Sequence, residues 1–362
     1  MIHGLLNPAA RLALALCATL ALAPARVAQA APALDPVPLI ETWLLPRYKT
    51  FAEAAAAQKA AWTGFCAARG EAGLAPLKQA FGAAADAWNA VEFVTFGPIS
   101  RELRADRIDF FPDRRNAVAR ALAEILADPD EARLAPERFA KSSAAAQGLP
   151  ALERLLYDEG AGQALASGAD GAKRCALGTA IAGNLAAVSA QIRDAWGDRS
   201  GGLMAGVSAG KGDPDFFPDA AALPGMILTD LSGAFQRVND IKIAPVASGG
   251  PDDARPALAD SWRSGRSGRV VANMVGSADA LLKAIALQMP SRTQGVVNKA
   301  AAAADAAAQA FPADLGAAAA TPDGAAQIAA AVKTFKAAQL TVYRPIASYF
   351  GVSLGFNALD GD

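Results

Sequence analysis

Apolar side chains recur along this chain at three- and four-residue spacing, the pattern of helices that bury one face. Over residues 39–68 the side chains Trp43, Leu44, Tyr48, Phe51, Ala55, Trp62 and Phe65 follow that spacing and predict a long first helix. A second starts near Pro76 and runs through Phe81 and Trp88 to Val94, where Gly97-Pro98 stops it. An Arg- and Asp-rich loop leads to Pro112, and Asp113 is placed to cap a helix reaching Leu126. Residues 148–157 predict a short helix and residues 173–196 a long one. Beyond the Gly- and Asp-rich stretch 197–217, helices are predicted at 220–241, 256–289, 291–311 and 321–350.

Heavy use of alanine and the scarcity of β-branched residues favour helix almost throughout. The expected fold class is therefore all-α. Helices of this length joined by short loops pack as antiparallel bundles. The stretch 197–217 divides an N-terminal bundle, residues 31–200, from a C-terminal bundle, residues 201–362. Asp109-Phe110-Phe111-Pro112-Asp113 recurs as Asp215-Phe216-Phe217-Pro218-Asp219, each copy leading into a helix. A duplicated four-helix-bundle arrangement would explain the echo; so would shared helix-start chemistry, which favours Pro and Asp anyway.

The first thirty residues have the form of a secretory signal. A short stretch with Arg11 precedes an apolar run at 12–23, too short to span a bilayer, and Ala28-Gln29-Ala30 is a small-x-small cleavage site. Cleavage is expected after Ala30, giving a periplasmic protein. Leu16 before Cys17 argues against lipoprotein processing, and no later transmembrane segment is expected. Removing residues 1–30 leaves 32 basic residues against 35 acidic, a net charge of −3, which gives no electrostatic case for nucleic acid. His3, the only histidine, leaves with the signal. Imidazole-dependent nucleophile sites are thereby excluded. Two cysteines remain, Cys66 and Cys175; an oxidising compartment favours a disulfide over two separate buried thiols.

The segment Gly148-Leu149-Pro150-Ala151-Leu152-Glu153, followed by a leucine-rich helix, resembles the Gly-x-His-x-x-Glu motif of the imelysin family, the M75 peptidases. Trp88-Asn89-Ala90-Val91-Glu92-Phe93, Ser261-Trp262-Arg263-Ser264-Gly265-Arg266-Ser267 and the ending from Gly355 to Asp362 are similar to further segments of that family. The resemblance spans nearly all of residues 31–362 as one unit. A His and a Glu three apart face one side of a helix and suit a metal. Here Pro150 stands in the histidine's place with no ligand atom, while Glu153 is retained.

Glu92, Glu153, Arg263 and Arg266 are candidates for a ligand-binding cleft between the bundles. Each has a plainer reading. Glu153 could be a first-turn Glu favoured by the helix dipole. Glu92, in an apolar run, could sit at a bend or pair with an Arg. Arg263, Arg266 and Arg269 could form a helical stripe paired with Asp252, Asp253 or Asp260. No catalytic residue, metal ligand or cofactor is expected; carboxylates could hold iron but are not clustered in sequence, and Asp360 and Asp362 alone are too few for calcium. The resemblance implies an exported, non-peptidase component of iron uptake binding an envelope partner or iron-related ligand. The alternatives are a residual M75-type metallopeptidase and a structural envelope protein without a small ligand.

Overall fold

The computed structural model describes residues 31–355. The expected signal, with its cleavage after Ala30, lies outside the described residues, as do Asp360 and Asp362. Asp35 accepts a hydrogen bond from the Val37 amide (2.9 Å) and starts a helical stretch at Pro36–Leu39. This passes through a π-helical turn into α1 (Leu45–Ala67). There follow α2 (Leu74–Asn89), α3 (Ala117–Ala127), α4 (Gly148–Tyr157) and α5 (Gly171–Trp196). The second half supplies α6 (Leu223–Gln236), α7 (Ser267–Ala286), α8 (Ser291–Gln309) and α9 (Pro322–Thr341).

The fold is all-α: among the described residues only two isolated bridges interrupt helices and turns. Helices α1, α2, α4 and α5 pack together, α6 to α9 form a second set, and α2 against α7 joins the two. Their buried apolar faces form one connected core. In the centre of the first set, Trp62 of α1 is fully buried and faces Gly178 of α5, where a Cβ would overlap the indole ring. Cys66 and Cys175 staple the same two helices as a disulfide, with Cα atoms 5.6 Å apart. Helix α5 is, by length and composition, apolar enough to cross a membrane. Leu177, Ile181, Leu185, Val188 and Ile192 are buried in the core, which accounts for that composition.

Three predicted helices differ in their ends. The second stops at Asn89 rather than Val94, and the chain turns while keeping Val91, Phe93 and Val94 buried. An apolar run reads alike whether a helix or a buried turn carries it. The helix expected from residue 256 begins only at Ser267. Proline-led 3₁₀ turns at Pro251–Asp253 and Pro256–Leu258, then Ser261 and Gly265 in the left-handed region (φ +53° and +67°), keep the preceding residues out of it. The last predicted helix breaks at Arg344-Pro345. In the two Asp-Phe-Phe-Pro-Asp copies, Asp113 accepts from the Ala117 and Val118 amides and Asp219 from the Ala221 amide, so both end in caps. Their first residues diverge: Asp109 faces a cavity, whereas Asp215 pairs with Arg101 at the surface (2.5 Å).

The disulfide spans 109 residues of chain. Reduction, or replacement of both cysteines by alanine, should lower unfolding free energy by about 2–5 kcal/mol. Denaturant unfolding with and without reductant measures this.

Candidate functional site

A cavity of about 530 Å³ opens where α2, α3 and α4 meet the segments preceding α3 and α7. Phe81, Phe110, Phe111, Leu149 and Trp262 supply apolar wall; Asp109, Glu153, Arg154, Asp260 and Arg263 supply polar groups. Both helix sets thus contribute.

Helix α4 delivers the degenerate motif. Gly148 opens it at φ +73°, against the Ile108 carbonyl where a Cβ could not fit. Pro150 occupies the first turn, where its missing N–H is tolerated, and lines the cavity. Glu153 lies one turn further on, buried. Its Oε1 accepts from the Ser264 amide (2.9 Å) and hydroxyl (2.6 Å). The helix-dipole reading is corrected: this carboxylate sits mid-helix and is held by another segment. Burial pushes its pKa up, the two Ser264 bonds pull the other way, and the result is a raised value.

Below Glu153 lies a nest that sequence reasoning did not assemble. One carboxylate oxygen from each of Glu92, Asp109 and Asp260 lies within 4.8 Å of the others. The ammonium of Lys242, only 1% exposed, sits 2.7 Å from Glu92 Oε1 and 2.5 Å from Asp260 Oδ2. Arg237 lies 3.6 Å from Glu92, the Trp88 indole N–H donates to Asp109 (3.1 Å), and the Phe111 ring covers Lys242 with its centroid 4.4 Å from Nζ. Burial works against the Lys242 charge, yet Asp260, Glu92 and Asp109 together hold its pKa above the ordinary lysine value. Burial and the neighbouring Asp260 drive Asp109 well upward despite the opposing Lys242.

Glu92 is therefore at a bend and also paired, with Lys242 as its closer partner rather than an Arg. Asp260 serves Lys242, not the arginines. A lysine between Ile241 and Ile243 was the signal that could have exposed the nest.

The expected arginine stripe does not exist, because Arg263 and Arg266 precede α7 and only Arg269 is in it. Their pairing partners are also other than expected. Arg263 donates to Asp158 (2.6 Å), which Arg154 also reaches (3.1 Å), and it stacks on Trp262 at the cavity wall. Arg266 and Arg269 both grip Asp86 of α2, and Arg266 also donates to the Gly82 carbonyl (3.0 Å). The cavity thus receives Glu153 and Arg263 of the candidate residues, with Glu92 beneath its floor and Arg266 engaged as a tie between α2 and the start of α7.

A His-x-x-Glu metal does not fit these residues. Pro150 offers no donor, the described residues contain no histidine, Glu153 is occupied by Ser264, and the carboxylate nest already surrounds an ammonium.

The sequence matches the family model of imelysin, peptidase M75, over residues 44–342. The fold is similar to that of an imelysin-like protein from Psychrobacter arcticum 273-4, at 19% identity and TM-score 0.67, covering 88% of this chain and 96% of that one. It is also similar to a candidate iron-regulated protein A precursor from Parabacteroides distasonis ATCC 8503, at 16% identity and TM-score 0.69, covering 89% and 97%. At these identities the likeness concerns the fold. No curated protein matches the sequence.

Glu153 holds its proton more tightly in the folded chain than in the unfolded one, so its contribution to stability falls as pH rises above about 4.5 toward neutrality. Glu153→Gln keeps the acceptor for Ser264 and removes the titration. Denaturant unfolding across that range should show a shallower loss of stability in the variant; an unchanged slope contradicts the assignment.

Proposed function

Because the chain belongs to the imelysin (peptidase M75) family, we propose that it is a non-peptidase member that binds a small ligand or partner group in the cavity between its helix sets. The observation that carries this reading is the composition of that cavity. Its wall holds Pro150 where the family motif has its histidine, while Glu153, Arg154 and Arg263 are fixed by Ser264 and Asp158 behind it and Phe110, Phe111 and Trp262 line it. A site so built can orient and enclose a ligand; it lacks the histidine and glutamate pair that would hold a water-activating metal for peptide hydrolysis.

The proposed setting is the periplasm, supported by the signal-like first thirty residues and the Cys66–Cys175 disulfide. The proposed link to iron uptake draws on the likeness to the protein named as an iron-regulated protein A precursor. An iron chelate or an envelope protein would meet Arg263 and Arg154 at the wall and Glu153 within it.

The mature chain purified without added metal should carry no stoichiometric zinc and show no chelator-sensitive cleavage. In a thermal-shift screen of ferrous, ferric, zinc and calcium ions alongside small ferric chelates, a cavity ligand should raise the melting point as mass action requires. Ala257→Trp, at an exposed position of the cavity wall, should abolish that rise, and Arg263→Ala should weaken it. Stoichiometric zinc with chelator-sensitive cleavage would instead establish a metallopeptidase. No shift with any probe, with these variants altering stability alone, would leave a structural envelope protein.

A further inference from the structure

We infer that Lys242 is a built-in cation, its ammonium holding the place among Glu92, Asp109 and Asp260 that an oxygen-bound divalent metal ion would take, so that removing the side chain leaves a hard-cation site. This goes beyond the proposed cavity ligand and does not depend on it.

The geometry is that of oxygens gathered around one positive centre. Ions such as calcium hold carboxylate oxygens at about 2.3–2.6 Å. Two oxygens on opposite sides of such an ion stand about 5 Å apart. The three carboxylate oxygens here all lie within 4.8 Å of one another. Nζ of Lys242 lies 2.7 Å from Glu92 and 2.5 Å from Asp260, with Asp109 beyond ion-pair distance.

A second observation points the same way. Glu92 is buried, and its other oxygen, Oε2, is enclosed without any hydrogen-bond partner. An ammonium has three directed donors and reaches Oε1; a metal ion could draw on both oxygens of the same carboxylate.

Two of the three carboxylates have hydrogen-bonded supports besides Lys242. Glu92 is on the turn after α2, Asp109 is fixed by the Trp88 indole, and Asp260 accepts from the Ser261 hydroxyl (2.9 Å). Lys242 enters from the π-helical segment Arg237–Ile243 that continues α6. Taking away its side chain removes the cation and leaves the anionic ligands on separate supports. Three carboxylates are a donor set that suits manganese or calcium and lacks the nitrogen and sulfur that favour zinc.

The test uses the mature full-length chain, Lys242→Ala, and Mn²⁺ or Ca²⁺ as the probe. After dialysis, wild type should retain no ion, whereas Lys242→Ala should retain one Mn²⁺ per chain. The variant's melting point should fall without ion and recover with millimolar Mn²⁺ or Ca²⁺. Adding Asp109→Asn to Lys242→Ala should weaken retention at least tenfold. If Lys242→Ala folds only when the ion is supplied, that also supports the inference. The inference is overturned if the variant folds and binds no ion, if binding is indifferent to Asp109→Asn, if wild type retains an equivalent amount, or if neither ion restores folding.

Discussion

The ammonium of Lys242 between Glu92 and Asp260 is the constraint on which the site rests. A charge this deeply buried loses its hydration, at a cost of several kcal/mol, and only close counter-charges offset that loss. Its partners come from a turn after α2 and from the segment before α7, which belong to different helix sets. Breaking such a pair by removing one partner costs about 3–5 kcal/mol. The three segments that meet at Lys242 are therefore tied together, and two of them, Lys242's own and the one around Asp260, also wall the cavity. The charge arrangement and the cavity shape are one structural fact.

The remaining polar contacts extend this tie outward. Ser264 fastens the segment before α7 to Glu153 of α4, and Asp158 holds Arg154 and Arg263 together beside it. Arg266 and Arg269 bind the start of α7 to Asp86 of α2. In the family motif, His and Glu one turn apart suit a metal. In this chain the retained Glu153 has become an anchor for a loop, and Pro150 closes the helix start without offering a ligand. The positive charge in the neighbourhood comes from side chains.

Periodicity made the helices legible, and the residue pair Cys66 and Cys175 was legible from compartment and number. Glu92 stood out as a carboxylate at a bend or in a pair, and Glu153 as a cleft carboxylate or a first-turn Glu. Their partners did not, because Lys242 and Ser264 are distant in sequence and nothing local marks the pairing. The arginines misled for a different reason. Their three-residue spacing suits a helix, but Ser261 and Gly265 adopt left-handed backbone just there, and the segment becomes a loop aimed at α4. Asp109 was hidden inside a repeated pentapeptide whose two copies share a cap and little else.

The most direct measurement is nitrogen-15 NMR of the lysine side chains in residues 31–362 at neutral pH, with and without Mn²⁺. A fixed ammonium shielded by Glu92, Asp260 and Phe111 predicts one slowly exchanging Nζ signal, lost in Lys242→Met and neither broadened nor displaced by the ion. A signal absent from the outset, or one that Mn²⁺ displaces, would contradict the account of Lys242 as the resident cation of this site.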